Sequence, residues 1–226
     1  MAEQIAVLFS AGLDSAVLLA EAARRDVETV QPIYVSAGLA WEAEELAAAG
    51  RLLASGAYGP RVLPFVPLSV DMRDVYPPSH WAVRGEAPAF DTPDEDVYLE
   101  GRNVVLLSKA AVYMARAGIS RVLIGSLAGN PFPDATAAFF AAMAGALSIG
   151  LAAPIAIEAP FATLHKADVV ALGRSLAVPL ELSLSCMQPQ NGVHCGRCSK
   201  CRERRDGFRE AGVEDPTKYE SLIPNR

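Results

Sequence analysis

A strand, a tight turn and a helix follow one another in Ile5-Ala6-Val7-Leu8-Phe9, Ser10-Ala11-Gly12-Leu13-Asp14-Ser15 and Ala16-Val17-Leu18-Leu19-Ala20-Glu21-Ala22-Ala23. The apolar run predicts a buried strand, and we expect Gly12 to adopt backbone angles that are closed to other residues. Main-chain N–H groups of such a turn point inward, and the helix N-terminus adds partial positive charge. The sequence therefore predicts a phosphate-binding loop directly after the first strand.

The side chains of this turn suit a nucleotide phosphate. Ser10 and Ser15 can donate hydroxyl hydrogen bonds to phosphate oxygens, and Asp14 can hold a hydrated Mg²⁺. The turn has neither the lysine of G-x-x-x-x-G-K-[ST] nor the three-glycine spacing of the dinucleotide fold, so it is neither of the two common nucleotide signatures. An ordinary strand-to-helix turn, with Asp14 and Ser15 capping the helix, is the alternative interpretation.

Length and composition favour one α/β domain with a small appendage, because 226 residues, 51% of them hydrophobic, suffice for a buried parallel sheet. The formal charge of −6 argues against a protein that coats nucleic acid, since such proteins usually carry a basic stripe. The acidic, polar start and the charges and prolines in the apolar stretches predict neither a signal peptide nor a membrane span. We expect a cytoplasmic protein with small-molecule partners.

Strand-like and helix-like stretches alternate along the chain. The strand-like runs lie at 30–35, 61–68, 121–125 and 155–158, and the helix-like stretches at 41–55, 103–117, 134–149 and 166–177. This alternation predicts a doubly wound, mostly parallel five-stranded sheet of the Rossmann-like kind, with its site at the carboxyl ends of the strands. We expect a nucleotide-binding domain over residues 1–180 and a small C-terminal subdomain over residues 181–226.

The segment 70–100 is long and irregular for a compact domain. It contains four prolines, two aspartate-rich patches and Trp81. We expect a lid over the nucleotide or a contact between subunits, with a poorly ordered loop as the alternative.

Four cysteines lie close together near the C-terminus, at Cys186, Cys195, Cys198 and Cys201. Overlapping C-x-x-C turns can place several thiolates on one Zn²⁺ without strain, and disulfides are rare in the cytoplasm. The cysteines therefore predict a structural Zn²⁺ site, with iron–sulfur ligation as the alternative. With four thiolates available, we expect the neighbouring His194 to be a loop residue and not a ligand.

Two resemblances follow from these motifs. The pattern S-x-G-x-D-S resembles the PP-loop of the ATP pyrophosphatases, whose usual form is S-G-G-x-D-S. Ala11 stands in place of a glycine, which is tolerable if residue 11 keeps a negative φ. The whole chain resembles the 7-cyano-7-deazaguanine synthase (QueC) family, in order through Gly101-Arg102-Asn103, Leu123-Ile124-Gly125, Phe132-Pro133-Asp134, Lys166-Ala167-Asp168 and the cysteine-rich tail.

This resemblance implies an adenine nucleotide alpha hydrolase-like fold and an ATP-dependent carbon–nitrogen ligase. Such an enzyme adenylates 7-carboxy-7-deazaguanine, lets ammonia displace AMP to give the amide, and activates the amide with a second ATP to leave the nitrile. The resemblance also implies a homodimer. It assigns ATP and Mg²⁺ binding to Phe9, Ser10, Ala11, Gly12, Leu13, Asp14 and Ser15, catalysis to Asp14, Arg102 and Lys166, and substrate binding to Asn103 and Asp134.

Two loops depart from the family pattern. Residues 36–41 replace a Y-G-Q-x-H-like stretch, and residues 130–136 lack a cysteine and an arginine. Because polar pockets discriminate strongly through their hydrogen bonds, these changes leave other functions open. The alternatives are a paralogue that adenylates a different small acid or amide, a tRNA-modifying relative, and a non-catalytic, zinc-stabilised nucleotide-binding module.

Overall fold

In a computed structural model, which describes residues 4–25 and 27–221, the loop after the first strand joins a parallel sheet to its first helix. The strands are β1 (Gln4–Leu8), β2 (Thr29–Ser36), β3 (Val66–Ser69), β4 (Arg121–Leu123) and β5 (Ala156–Glu158). The helices are α1 (Leu13–Ala22), α2 (Glu42–Ala54), α3 (Trp81–Arg84), α4 (Arg102–Ala117), α5 (Ala137–Leu151), α6 (Lys166–Ser175) and α7 (Ser199–Glu210).

The five strands lie in the order β3-β2-β1-β4-β5, and every neighbouring pair is parallel. Ile5 of β1 lies opposite Val30 of β2 on one side and Arg121 of β4 on the other. The strand order reverses between β1 and β4, which is where doubly wound sheets hold their ligands. The predicted fold class is confirmed.

Alternate residues of β1 face two different hydrophobic cores. Ile5 and Val7 pack with α1, α2 and α6, whereas Ala6 packs with α4 and α5 on the opposite face. Because successive side chains of a strand point to opposite faces, a strand covered on both sides must be apolar throughout. This is why residues 5–9 form an unbroken apolar run.

Two element bounds differ from the sequence prediction because of prolines and a cap. The run at 61–68 forms a strand only from Val66, and Val62 makes an isolated bridge to Val30. Pro64 has no N–H to donate to the sheet, while Pro67 is accommodated because β3 is an edge strand. The helix predicted at 134–149 begins at Ala137, since Thr136 Oγ1 accepts the N–H of Phe139 at 3.1 Å and caps α5.

The segment 70–100 packs against the loop that follows β2. It contains α3 and a short 3₁₀ turn at Asp94–Val97, and it buries Tyr76 and Leu99 against Trp41 in a third hydrophobic cluster. The alternative of a poorly ordered loop is therefore wrong. In the C-terminal part, the four cysteines and Phe208 share the core that contains α1 and α6. Among the helices of residues 4–25 and 27–221, none combines the length and apolar character that crossing a membrane requires.

Candidate active site and metal centre

The phosphate loop, residues 9–15, makes its left-handed turn one residue earlier than predicted. Ala11 has a φ of 62°, whereas Gly12 has an extended backbone with φ −63° and ψ 159°. In this conformation the Ala11 carbonyl accepts the N–H of Leu184 at 2.8 Å. The expectations of unusual angles at Gly12 and of a negative φ at residue 11 are therefore wrong. A left-handed alanine costs about 1–2 kcal/mol, because Cβ approaches the following carbonyl oxygen.

The hydroxyls of the loop bond within the loop. Ser15 Oγ donates to the Gly12 carbonyl at 3.1 Å and lies 3.4 Å from Ser10 Oγ. Ser10 Oγ accepts the N–H of Gly12 at 3.3 Å. Since Ser15 donates and the Asp14 carboxylate binds Lys166, neither side chain caps α1 as the alternative interpretation required. Both serines border a cavity at the carboxyl ends of the strands.

Asp14 and Lys166 form the first pair in a chain of alternating charges. Lys166 Nζ lies 2.8 and 2.6 Å from the two carboxylate oxygens of Asp14 and 2.7 Å from Glu203 Oε1. The other oxygen of Glu203 lies 2.5 Å from Lys200 Nζ. Burial lowers the pKa of Lys166, but the carboxylates of Asp14 and Glu203 outweigh it and raise the pKa above the ordinary value. The Lys166 amine therefore stays charged beside the loop.

Gly207 of α7 leaves the space through which the Lys166 side chain reaches the phosphate loop. A Cβ atom at position 207 would lie 2.3 Å from Cγ of Lys166, far inside van der Waals contact. Lys166 is the first residue of α6, and the Asp168 carboxylate fixes this helix start by accepting the N–H of His165 at 2.8 Å. The start of one helix and the missing side chain of another together direct the amine to Asp14.

A cavity of about 260 Å³ opens at the carboxyl ends of β1, β2 and β4, with the phosphate loop on one wall. Tyr98 and Phe132 lie on another wall, stacked with 5.3 Å between ring centroids. A second cavity, of about 200 Å³, also borders the loop and is lined by Lys166. Ser10, Gly12 and Asp14 border both cavities, so the two spaces meet at the phosphate loop.

Asn103 and Asp134 lie in the first cavity but are bonded to each other. Asp134 Oδ2 accepts the N–H of Asn103, and Asn103 Nδ2 donates to the Asp134 carbonyl, both at 2.9 Å. Asp134 therefore caps the start of α4 across 31 positions of sequence. Substrate binding by either residue stays a prediction.

Arg102, the first residue of α4, borders both cavities. Its side chain makes no hydrogen bond or ion pair with residues 4–25 or 27–221, and its buried Nε has no partner there. A buried N–H without an acceptor costs about 1–3 kcal/mol. The guanidinium is thus placed to bind an acceptor that a ligand brings.

Sequence reasoning missed Glu45 and Tyr34. Glu45 is only 8% exposed, borders both cavities, and accepts the Tyr34 hydroxyl on Oε2 at 2.8 Å. Burial raises the pKa of Glu45 to about 7, against the opposing effect of the Arg102 charge. The signal in the sequence is a carboxylate on the apolar face of α2, at helical spacing from Ala48, Ala49 and Leu52.

The four cysteines form a compact cluster in which all sulfur atoms lie within 4.8 Å of one another. All four thiols are free and buried. Neighbouring sulfurs lie 3.5 to 4.0 Å apart. Four thiolates at Zn–S distances of about 2.3 Å have a tetrahedral S–S separation of about 3.8 Å, so the cluster fits Zn²⁺.

Two buried basic side chains, His194 and Arg204, lie beside the cysteine cluster. His194 Nε2 accepts the N–H of Ser185 at 3.1 Å, and burial lowers the pKa of His194 to about 3, so the ring stays neutral. Arg204 is 1% exposed and donates to the hydroxyls of Ser183, Ser185 and Thr217. Both side chains fix the backbone that carries the cysteines.

A small-residue loop at the switch point of a doubly wound parallel sheet is typical of nucleotide-binding α/β proteins. The chain belongs to the QueC family, since residues 4–212 match the family described as "Queuosine biosynthesis protein QueC".

Relatives of this family match nearly the whole chain. The 7-cyano-7-deazaguanine synthase of Anaeromyxobacter dehalogenans (strain 2CP-C) is 37% identical over 228 residues, which cover 96% of each chain. The 7-cyano-7-deazaguanine synthase of Methanothrix thermoacetophila is 35% identical, and the match covers 94% of this chain and 97% of the relative. A solved complex of a 4-thiouridine synthetase with RNA and bound ATP has a TM-score of 0.49 at 14% identity, covering 93% of this chain and 51% of its own.

Proposed function

We propose that this chain is an ATP-dependent carbon–nitrogen ligase that converts 7-carboxy-7-deazaguanine to 7-cyano-7-deazaguanine with ammonia as the nitrogen source. The observation that carries the proposal is the meeting of two cavities at the phosphate loop, beside Lys166 and Arg102. The relatives named 7-cyano-7-deazaguanine synthase support it, because they match over more than nine tenths of both chains.

In this proposal the phosphate loop and Lys166 bind the triphosphate of ATP. The N–H groups at the start of α1 and the charged Lys166 amine stabilise the negative charge that grows on pyrophosphate as it leaves. When bound, Mg²⁺ supplies further positive charge to the phosphates, and Asp14 is the residue that would hold it. Because Asp14 is bonded to Lys166 in the structure, Mg²⁺ binding requires Asp14 to exchange partners.

The proposed reaction has two adenylation steps. The substrate carboxylate attacks the α-phosphorus, pyrophosphate leaves, and ammonia then displaces AMP with loss of a proton to give the amide. The amide oxygen attacks the α-phosphorus of a second ATP and pyrophosphate leaves; loss of AMP and of the two N–H protons then gives the nitrile. Arg102 borders both cavities and is placed to bind an oxygen of the substrate or of a phosphate.

The cysteine cluster would hold a structural Zn²⁺ with all four positions occupied by thiolates, so the ion would fold the tail and leave no open site. The cluster lies at the start of α7, and α7 carries Glu203 and Gly207, which contact Lys166. This supports a role for the bound ion in positioning Lys166. Reduced, buried thiols are also consistent with the proposed cytoplasmic location.

We also propose a homodimer that forms through α5. This helix contains no charged residue, Phe140 is its one fully buried side chain, and Ile149 is 85% exposed. Exposed apolar faces of this kind mark protein contacts. Ile149→Glu is expected to convert a dimer to a monomer in light scattering, and an unchanged dimer would exclude this face.

The function is tested by incubating the protein with ATP, Mg²⁺, ammonia and 7-carboxy-7-deazaguanine, with mass spectrometry of the products. We expect AMP, pyrophosphate and the nitrile to accumulate together. ATP cleavage with a different acid and none with this one would favour the paralogue, and ATP binding without cleavage on any acid would favour the non-catalytic module. Cleavage that requires tRNA would identify the tRNA-modifying relative.

A further inference from the structure

Arg102 and Glu45 face the same two cavities without pairing with each other. Their charges interact, because Arg102 opposes the effect of burial on Glu45. Even so, no nitrogen of Arg102 lies within 4.0 Å of a Glu45 oxygen. A cation and a carboxylate that share a cavity wall without closing on each other leave room for a ligand between them.

The hydrogen-bonding capacity of this pair is only partly used. Glu45 accepts from the Tyr34 hydroxyl, and the Trp41 side chain is a second donor to it, so about two of the roughly four acceptor sites of an ionised carboxylate are left. Arg102 offers donors and has no acceptor among the described residues. The unused donors of Arg102 and the unused acceptor sites of Glu45 favour a ligand that places an acceptor next to Arg102 and donors next to Glu45.

We propose that Glu45 and Arg102 together read the hydrogen-bonding edge of a guanine-type ring, with the ring carbonyl accepting from Arg102 and the ring N–H and exocyclic amine donating to Glu45. The proposal deepens the proposed function and rests on it, because it assigns the part of the substrate that distinguishes a 2-amino purine analogue. Tyr98 and Phe132 provide a stacked aromatic wall for the flat ring in the same cavity.

The adenine of ATP is the competing occupant of this position. Adenine presents one exocyclic amine beside a ring nitrogen acceptor, so it gives Glu45 a single donor group. A guanine-type edge presents two adjacent donor groups, which match the two oxygens of a carboxylate, and a carbonyl that matches an arginine. The guanine-type ring can therefore form more hydrogen bonds with Glu45 and Arg102 than adenine can.

The test is acid-dependent exchange of pyrophosphate into ATP, with 7-carboxy-7-deazaguanine and its analogue without the 2-amino group. We expect the wild-type protein to prefer the amino compound by at least about 100-fold in kcat/KM, since a site built around hydrogen bonds rejects an analogue that lacks them. Glu45→Gln should reduce this preference to below about tenfold, with the KM for ATP within about threefold of the wild-type value.

Glu44→Gln is the matched control, because it makes the same change one residue earlier on α2, where the side chain accepts the Gly192 N–H. It should keep the wild-type preference. If Glu45→Gln keeps the preference too, or alters only the KM for ATP, the inference is overturned. If wild-type protein gives no exchange with either acid, the proposed function fails and this inference with it.

A second measurement needs no variant and so is independent of folding defects. Calorimetry on the wild-type protein should show 7-deazaguanine binding at least about tenfold more tightly than 7-deazahypoxanthine. Equal affinities for the two rings would overturn the inference even if the ligase activity is found.

Discussion

Gly207 lies directly against the side chain of Lys166, and a Cβ atom at position 207 would come within 2.3 Å of Lys166 Cγ. The two residues lie on different helices, α7 and α6. The contact means that the helix next to the cysteine cluster determines where the proposed catalytic cation lies.

Gly207→Ala is therefore expected to displace Lys166 from Asp14. Overpacking of this kind costs about 1–3 kcal/mol, and a shift of about 1 Å at a catalytic group can cost about 100-fold in rate. We expect ATP–pyrophosphate exchange to fall about 10- to 100-fold, with bound metal unchanged. The control is Gly50→Ala on α2, where a Cβ meets nothing within 4 Å; it should stabilise the protein by about 0.5–1 kcal/mol. Equal activity of both variants would contradict the argument.

Lys166→Met should reduce exchange more than Glu203→Gln does. The methionine removes the charge beside the phosphate loop, a loss we expect to cost about 100- to 1000-fold in kcat. Glu203→Gln leaves the pair between Lys166 and Asp14 intact, at 2.6 Å, so a loss of about tenfold or less is expected. The measurement is steady-state exchange at saturating ATP, with metal content as a check on folding. A larger loss of exchange in Glu203→Gln than in Lys166→Met would contradict the prediction.

Removal of the metal should unfold the C-terminal segment and abolish exchange. Four thiolates within 4.8 Å repel one another without a cation between them, and α7 starts at this cluster. We expect one Zn²⁺ per chain by mass spectrometry, a lower Tm after treatment with a strong chelator, and recovery on adding Zn²⁺. Cys198→Ser should behave like the chelated protein. A brown, iron-containing protein would instead identify an iron–sulfur cluster.

Glu45 predicts a specific pH dependence of stability. Its pKa is raised to about 7 by burial, so the folded state binds this proton more tightly than the unfolded state does. Its contribution to stability is therefore present at low pH and is lost as pH rises from the ordinary pKa of about 4.3 through about 7. The free energy of unfolding of wild type relative to Glu45→Gln should fall by about 2–3 kcal/mol between about pH 4.5 and pH 7.5. Urea titrations of both proteins measure this difference, and a flat difference would exclude the titration of Glu45.

Two alanines in left-handed backbone should respond differently to glycine. Ala177 has a φ of 57° and is exposed, so Ala177→Gly should stabilise the protein by about 1 kcal/mol. Ala11 has a φ of 62° but is fully buried, so relief of strain is offset by about 0.8 kcal/mol of lost methyl burial. Ala11→Gly should change stability by less than Ala177→Gly, as measured by urea unfolding. A larger gain at Ala11 would show that strain dominates the loop.

The parts of the site that sequence could predict are local ones. The apolar run at 5–9, the small-residue turn and the spacing of the four cysteines each depend on neighbours in sequence, so strand, loop and metal cluster were all predicted. The backbone of the loop is the exception. Residue type predicts Gly12 as the left-handed residue, but Ala11 has this conformation. A hydrogen bond to the Ala11 carbonyl from Leu184, which is distant in sequence, accompanies it.

By itself the sequence determined the alternation of strands and helices, the place of the phosphate loop and the grouping of the four cysteines, since periodicity and spacing carry this information. Only the tertiary structure decided which charges meet: Lys166 with Asp14 across 152 positions, and Arg102 with Glu45 in one cavity. The physical reason is that ion pairs and cavities depend on distances in space, and parallel strands bring together loops that are remote along the chain.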